Sequence, residues 1–268
     1  MRKYVKKKNY FSILYLTIFT VMMYIPIILT VVYSFNESKI SSMWGGLSLT
    51  WYQQLFADGA MWEAVGNSIK LALLSCIGAN MIGITGALGM RYRKTKFDSM
   101  MSYMATLPIM IPEIILGMAF LAIFSFINLP FGMLTLVIAH TSFCIPYIFL
   151  MVRARLMDMD PSIEEAARDL GASPMQVFWD ITLPSILPAV LSGSLLSFAM
   201  SFDDVVISIF VTGATTNTLA IKIYTKLKTG VTPEINALAT IMLLFVIGAI
   251  MIYTIVKKVI DGLGKKMA

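Results

Sequence analysis

Charged residues make up only 13% of this 268-residue chain, about half the roughly 25% usual in soluble domains. That scarcity excludes a folded surface solvated all round. Histidine occurs once, at His140, and cysteine twice, at Cys76 and Cys144. Both cysteines fall inside apolar blocks, where a disulfide framework has no loops to staple and a thiol behaves as a small hydrophobe. They therefore carry no information about redox compartment. A lone histidine without a second metal-type ligand gives no metal centre, and no G-x-S-x-G elbow accompanies it. The expected account is a histidine hydrogen-bonded within a helix bundle. The phosphate-cradling pattern G-x-x-x-x-G-K-[ST] is also missing, the nearest glycine cluster being Gly262-Leu263-Gly264-Lys265-Lys266. A chain of this kind is not expected to be an enzyme or to bind a cofactor itself. The net charge of +6 does not come from a continuous basic face interleaved with aromatics, so nucleic acid is not an expected partner.

What is abundant is apolar length. Hydrophobic residues reach 58% and mean hydropathy is +0.79, and they come in blocks rather than at the short periods of a soluble core. A helix needs about 20 apolar residues to cross the hydrocarbon layer with its backbone satisfied internally. Uncharged runs extend over Phe11 to Phe35, Leu71 to Met90, Phe131 to Val152, Ser185 to Phe202 and Ile235 to Val256. Ser99 to Ile127 adds another, interrupted only by Glu113, and Asn128-Leu129-Pro130 supplies the turn after it. The fold class expected is an all-α integral membrane protein in one domain over 1–268. Its six spans lie at about 11–35, 67–90, 99–127, 131–152, 185–204 and 235–256. The first run is 25 residues long with no small-x-small cleavage site before Asn36, so it reads as an uncleaved span and not a secretory signal.

Orientation follows from the basic residues. The two ends, the segment 91–96 and the loop 153–184 hold sixteen of the 21 Lys and Arg, which by the positive-inside tendency puts both termini on the cytoplasmic side. The outer loop 36–63 carries Trp44, Trp51, Tyr52, Phe56 and Trp62, whose rings suit the membrane interface; a dock for an extracytoplasmic partner is the other reading.

The inner loop 153–184 reads as two capped helices. Pro161 suits a first turn, Ser162 with Glu165 matches a capping box, and Gly171 ends the first helix. Ser173-Pro174-Met175-Gln176 repeats the start signal, and Leu183-Pro184 is expected to stop the second helix. The apolar residues Ile163, Ala166, Ala167, Leu170, Val177, Phe178, Ile181 and Leu183 exceed what a solvated linker needs, so the hairpin should pack on its own spans or on another protein.

Glu165-Ala166-Ala167, three residues, Gly171, nine residues, then Ile181-Thr182-Leu183-Pro184 resembles the EAA loop of ATP-binding-cassette importer permeases at every fixed position. Further stretches are similar to the second permease of spermidine/putrescine importers, among them Ser34-Phe35-Asn36, Asp169-Leu170-Gly171-Ala172-Ser173 and Ser201-Phe202-Asp203-Asp204-Val205-Val206. The resemblance implies a type I importer permease fold in the bacterial cytoplasmic membrane. It implies that Glu165, Ala166, Ala167, Gly171, Ile181, Leu183 and Pro184 form a coupling loop docked on an ATPase. It also implies a second permease subunit, an ATPase dimer carrying ATP and Mg, and an extracytoplasmic substrate-binding protein as partners.

Charge inside a span costs about 2.5–3.5 kcal/mol on insertion scales. Glu113 follows Pro108 and Pro112, which break the third span and free backbone carbonyls. Asp203 and Asp204 either mark the outer end of the fifth span or join Glu113 in a pathway attractive to protonated amines. Other solutes on the same architecture, such as a metal ion, an oxyanion or a sugar, and an ATPase-independent transporter or channel remain the competing readings.

Overall fold

A computed structural model describes residues 10–40, 43–92, 96–230 and 233–267. The basic residues Arg2, Lys3, Lys6, Lys7, Lys8, Arg93 and Lys94, used above for orientation, lie outside the described residues, as do the side chains of the C-terminal lysines. The helices in chain order are α1 (Tyr10–Tyr33), α2 (Thr50–Ala57), α3 (Gly59–Tyr92), α4 (Asp98–Met110), α5 (Glu113–Phe126), α6 (Met133–Asp158), α7 (Pro161–Asp169), α8 (Pro174–Val177), α9 (Leu183–Asp203), α10 (Val206–Val211), α11 (Leu219–Thr229) and α12 (Pro233–Met267). A π-helical turn, Phe178–Thr182, joins α8 to α9. Among the described residues five helical stretches are long and apolar enough to cross a membrane, and six if the bent pair α4 and α5 counts as one broken span.

That pair bends by 106° at Ile111-Pro112. Proline lacks the N–H that would continue the ladder and disfavours helical geometry in the residue before it. Ile111 is accordingly extended (φ −85, ψ 130), and α5 restarts at Glu113, a carboxylate well placed at the positive end of a helix dipole. After α5, Asn128 adopts a left-handed φ of 54, which asparagine tolerates better than most residues, and its turn leads to α6.

The chain divides into two compact units. In the first, formed from 1–59 and 226–268, α12 packs on α1 and α2. None of the apolar window of α1 is buried. Asn36 organises the loop after it. Its side-chain amide donates to the Met43 carbonyl at 2.7 Å and its Oδ1 accepts from the Gly45 amide at 2.8 Å. Trp51 is buried and donates its indole N–H to the Asn36 carbonyl at 2.7 Å. One of the loop aromatics is therefore an internal anchor, whereas Trp44 and Phe56 stay exposed.

The second unit, 60–225, is built round α6, 56% of whose apolar window is buried. Without water to expel between lipid-facing helices, close approach of small residues drives such packing. Here Ala72, Ala79, Gly83 and Ala87 form the buried stripe of α3. Gly83 of α3 and Gly193 of α9 both close on Ile148 of α6. On α10, Phe210 lies against Gly117 of α5, where a side chain would not fit. The helix that holds the 131–152 run continues beyond it through Arg153 and Arg155 to Asp158.

Candidate functional site

Asp160, rather than Ser162, caps α7. Its Oδ1 accepts from the Ser162 amide at 3.0 Å. The predicted Ser162–Glu165 capping box gives way because Pro161 occupies the first helical position, so the cap must be the residue before it. The Ser162 amide and hydroxyl hold the Asp160 carboxyl below its ordinary value. At the other end Gly171 has φ +90. Its amide donates to the Arg168 carbonyl at 2.9 Å, and Ala172 donates to the Ala167 carbonyl at 3.0 Å, a six-to-one closure of the Schellman kind. The Ser173–Gln176 capping box forms as the spacing predicts, with Gln176 Oε1 accepting from the Ser173 amide at 2.7 Å.

Leu183-Pro184 does not stop the second helix. Helical structure runs unbroken from Pro174 to Asp203. The Leu183 amide bonds back to Phe178 across five residues, and this widened turn carries the helix past the missing Pro184 N–H. Ile181 and Leu183 pack against the core of the unit, while Pro184 is exposed.

The hairpin therefore has two faces. Glu165, Ala166, Ile163 and Leu170 are exposed, Leu170 at 90%, and nothing stands within 4 Å of a side chain added at Gly171. Ala167 is half-buried, and Val177 is buried. The residue turned inward among charges is Glu164, which sequence reasoning passed over. Its Oε1 accepts from Thr182 Oγ1 at 3.0 Å, Tyr92 Oη at 3.2 Å and Arg91 Nη2 at 3.3 Å. Arg91 also donates to the Leu156 carbonyl at the end of α6. The one available signal was helical spacing, since Glu164 and Ala167 share a face. Arg91, Tyr92 and Thr182 come from distant positions that no local pattern connects. A cavity of about 650 Å³ opens beside this cluster, lined by Arg91, Arg153, Glu164, Glu165 and Arg168 among others.

A second group gathers where α9 ends. Asp203 is the last residue of α9 and is exposed. Asp204 is not: its side chain is 5% exposed. Its carboxylate accepts from the Ser208 amide at 2.8 Å and the Ile207 amide at 3.3 Å. His140, fully buried on α6, places Nδ1 at 2.8 Å from Ser201 Oγ and Nε2 at 3.0 Å from Ser208 Oγ and 3.4 Å from Asp204 Oδ2. Glu113, exposed at the break before α5, lies within electrostatic reach of both Asp204 and Asp203. Glu113 and the adjacent pair Asp203 and Asp204, about ninety positions away in sequence, thus share one region. Two of them are open and one is built into a polar knot.

Comparison with known proteins places the chain in a family. Residues 79–263 match the family described as binding-protein-dependent transport system inner membrane component. The putrescine transport system permease protein PotI of Escherichia coli K12 is 42% identical over 82% of this chain and 81% of its own length. The spermidine/putrescine transport system permease protein PotC of Haemophilus influenzae is 37% identical over 88% and 92%. Among solved structures, a bacterial ABC transporter involved in alginate import aligns with a TM-score of 0.71 at 17% identity, covering 96% of this chain and 99% of that one. The MetNI methionine ABC transporter aligns at 0.60 and 18% identity, over 73% and 94%. At those identities the likeness concerns the fold. The chain belongs to the family of inner-membrane permease components of binding-protein-dependent transport systems.

Proposed function

We propose that this chain is one of two different membrane-spanning subunits of an ATP-driven importer of polyamines, receiving putrescine or spermidine from a substrate-binding protein outside the membrane. Both termini and the 153–184 hairpin face the cytoplasm, where an ATPase dimer carrying ATP and Mg docks on the face formed by Glu165, Ala166, Ala167 and Gly171. The observation that carries the cargo is the convergence of Glu113 with Asp203 and Asp204. A polyamine is a short apolar chain bearing protonated amines, and separated carboxylates match the spacing of charge along it. The names of the most similar relatives support the same substrate class. The exposed small-residue face of the hairpin supports the docking reading, because apolar residues such as Leu170 would otherwise stand in water without function.

The test is uptake of labelled putrescine and spermidine by vesicles holding the assembled importer. Glu113→Gln and Asp203→Asn should each lower uptake about tenfold, equivalent to about 1.4 kcal/mol of lost attraction, with assembly intact. Uptake unchanged in both variants, or accumulation of an anionic or uncharged solute in place of the amines, would remove the polyamine reading.

A further inference from the structure

Glu164 and Glu165 are neighbours with opposite surroundings, one 5% exposed and accepting three hydrogen bonds at one oxygen, the other open. A docking surface alone does not move membrane helices; some contact has to carry force from the hairpin into them. We infer that Glu164 is that contact, a positioning residue through which displacement of the hairpin reaches the ends of α3, α6 and α9.

The assignment rests on what converges at one carboxylate oxygen. Arg91 and Tyr92 close the last turn of α3, Thr182 closes the π-helical turn at the root of α9, and Arg91 in turn holds the Leu156 carbonyl of α6. α7 offers no other such path, since the packed apolar residues of the hairpin, Val177, Ile181 and Leu183, all lie beyond it on the α9 side. The face carrying Ile163, Ala166 and Leu170 points away from the chain, and the Gly171 turn touches nothing that a side chain would meet. The cavity lies against α7, which contributes Pro161, Glu164, Glu165 and Arg168 to its lining, so this face of the helix is not closely packed. With Glu164 its one buried residue, α7 is held by directional polar bonds, and these transmit both push and pull. A buried ion pair of this kind contributes little net stability but becomes costly once a partner is removed. That property suits a residue kept for geometry. π-helical turns also recur at functional positions in long helices, and Thr182 puts this one in direct contact with Glu164.

This inference rests on the docking reading above, and the experiment separates the two. The complete importer, reconstituted with its binding protein, is assayed for ATPase retained on purification, for ATP hydrolysed and for substrate taken up per ATP. Glu164→Gln, which keeps the shape and removes the charge, should retain the ATPase and lower uptake per ATP about tenfold, within the usual range of coupling between sites. Thr182→Val, which spares the ion pair, should give a smaller loss in the same ratio. Arg91→Gln should match Glu164→Gln, and the double variant should be no worse than either. Uptake per ATP within about twofold of the unaltered importer in Glu164→Gln and Thr182→Val would overturn the inference, as would loss of the ATPase in Glu164→Gln. Gly171→Asp addresses the docking reading independently. It should shed the ATPase, and its retention with normal coupling would overturn docking while leaving the Glu164 result to stand or fall on its own ratio.

Discussion

Nε2 of His140 stands 3.4 Å from Oδ2 of Asp204, and the same ring reaches Ser201 on α9 and Ser208 on α10. One imidazole thus fixes the end of one helix, the start of the next and the carboxylate between them.

Replacing His140 by Ala would leave two hydroxyls and a carboxylate buried without the ring. Removing one member of such a network costs about 3 kcal/mol or more. A thermal unfolding scan of the purified protein should show a clear fall in midpoint for His140→Ala and a smaller one for His140→Gln.

The two adjacent aspartates should separate under the same scan. Asp204→Asn weakens both the cap on Ile207 and Ser208 and the contact with His140, so stability and uptake fall together. Asp203→Asn touches neither, and only uptake should fall. Equal thermal midpoints for the two variants would contradict the arrangement.

A Cβ at Gly83 would stand 2.9 Å from Ile148 Cβ and 3.1 Å from the Phe149 amide nitrogen. Overpacking of that order costs about 1–3 kcal/mol. Gly89, six residues on, meets nothing within 4 Å, and Gly89→Ala should leave stability unchanged or raise it by up to about 1 kcal/mol. Chemical denaturation of both variants in one detergent gives the comparison.

Asp160 sets a pH dependence outside the membrane. Its folded-state value is lowered from an ordinary 3.8, chiefly by the bond from the Ser162 amide. A group lowered on folding contributes stability that is present above its unfolded value and lost as pH falls through the folded one. Amide exchange in the first turn of α7 should therefore be slower in the unaltered chain than in Asp160→Ala near neutral pH. The difference should shrink as pH drops below about 4.

The spans were legible because apolar length is a one-dimensional property, visible without any contact. So were the breaks, since Pro112, Asn128 and Gly171 act through their own backbone chemistry. The cap of α7 was misplaced by two residues because Ser162 and Asp160 both fit as local acceptors, and only Pro161 decides between them. Leu183-Pro184 was misread as a stop for a related reason. A π-helical turn is a register shift with no compositional sign, and it let the helix absorb the proline. Glu164 and Asp204 could not be ranked against Glu165 and Asp203 from sequence. Identical neighbours differ only in which side of a helix they occupy and in what arrives there from residues such as Arg91 and His140.

Unbroken helix from Pro174 to Asp203 covers 30 residues, about 45 Å of rise. Its near end carries the hairpin turn and its far end the open carboxylate. The places where it can bend, the π-helical turn Phe178–Thr182 with Pro184 and Pro188 just beyond it, all lie near the hairpin end. From Ala189 to Asp203 no proline or π-turn interrupts it, so the lever arm that ends in the open carboxylate is the straight part and the adjustable part sits beside the hairpin.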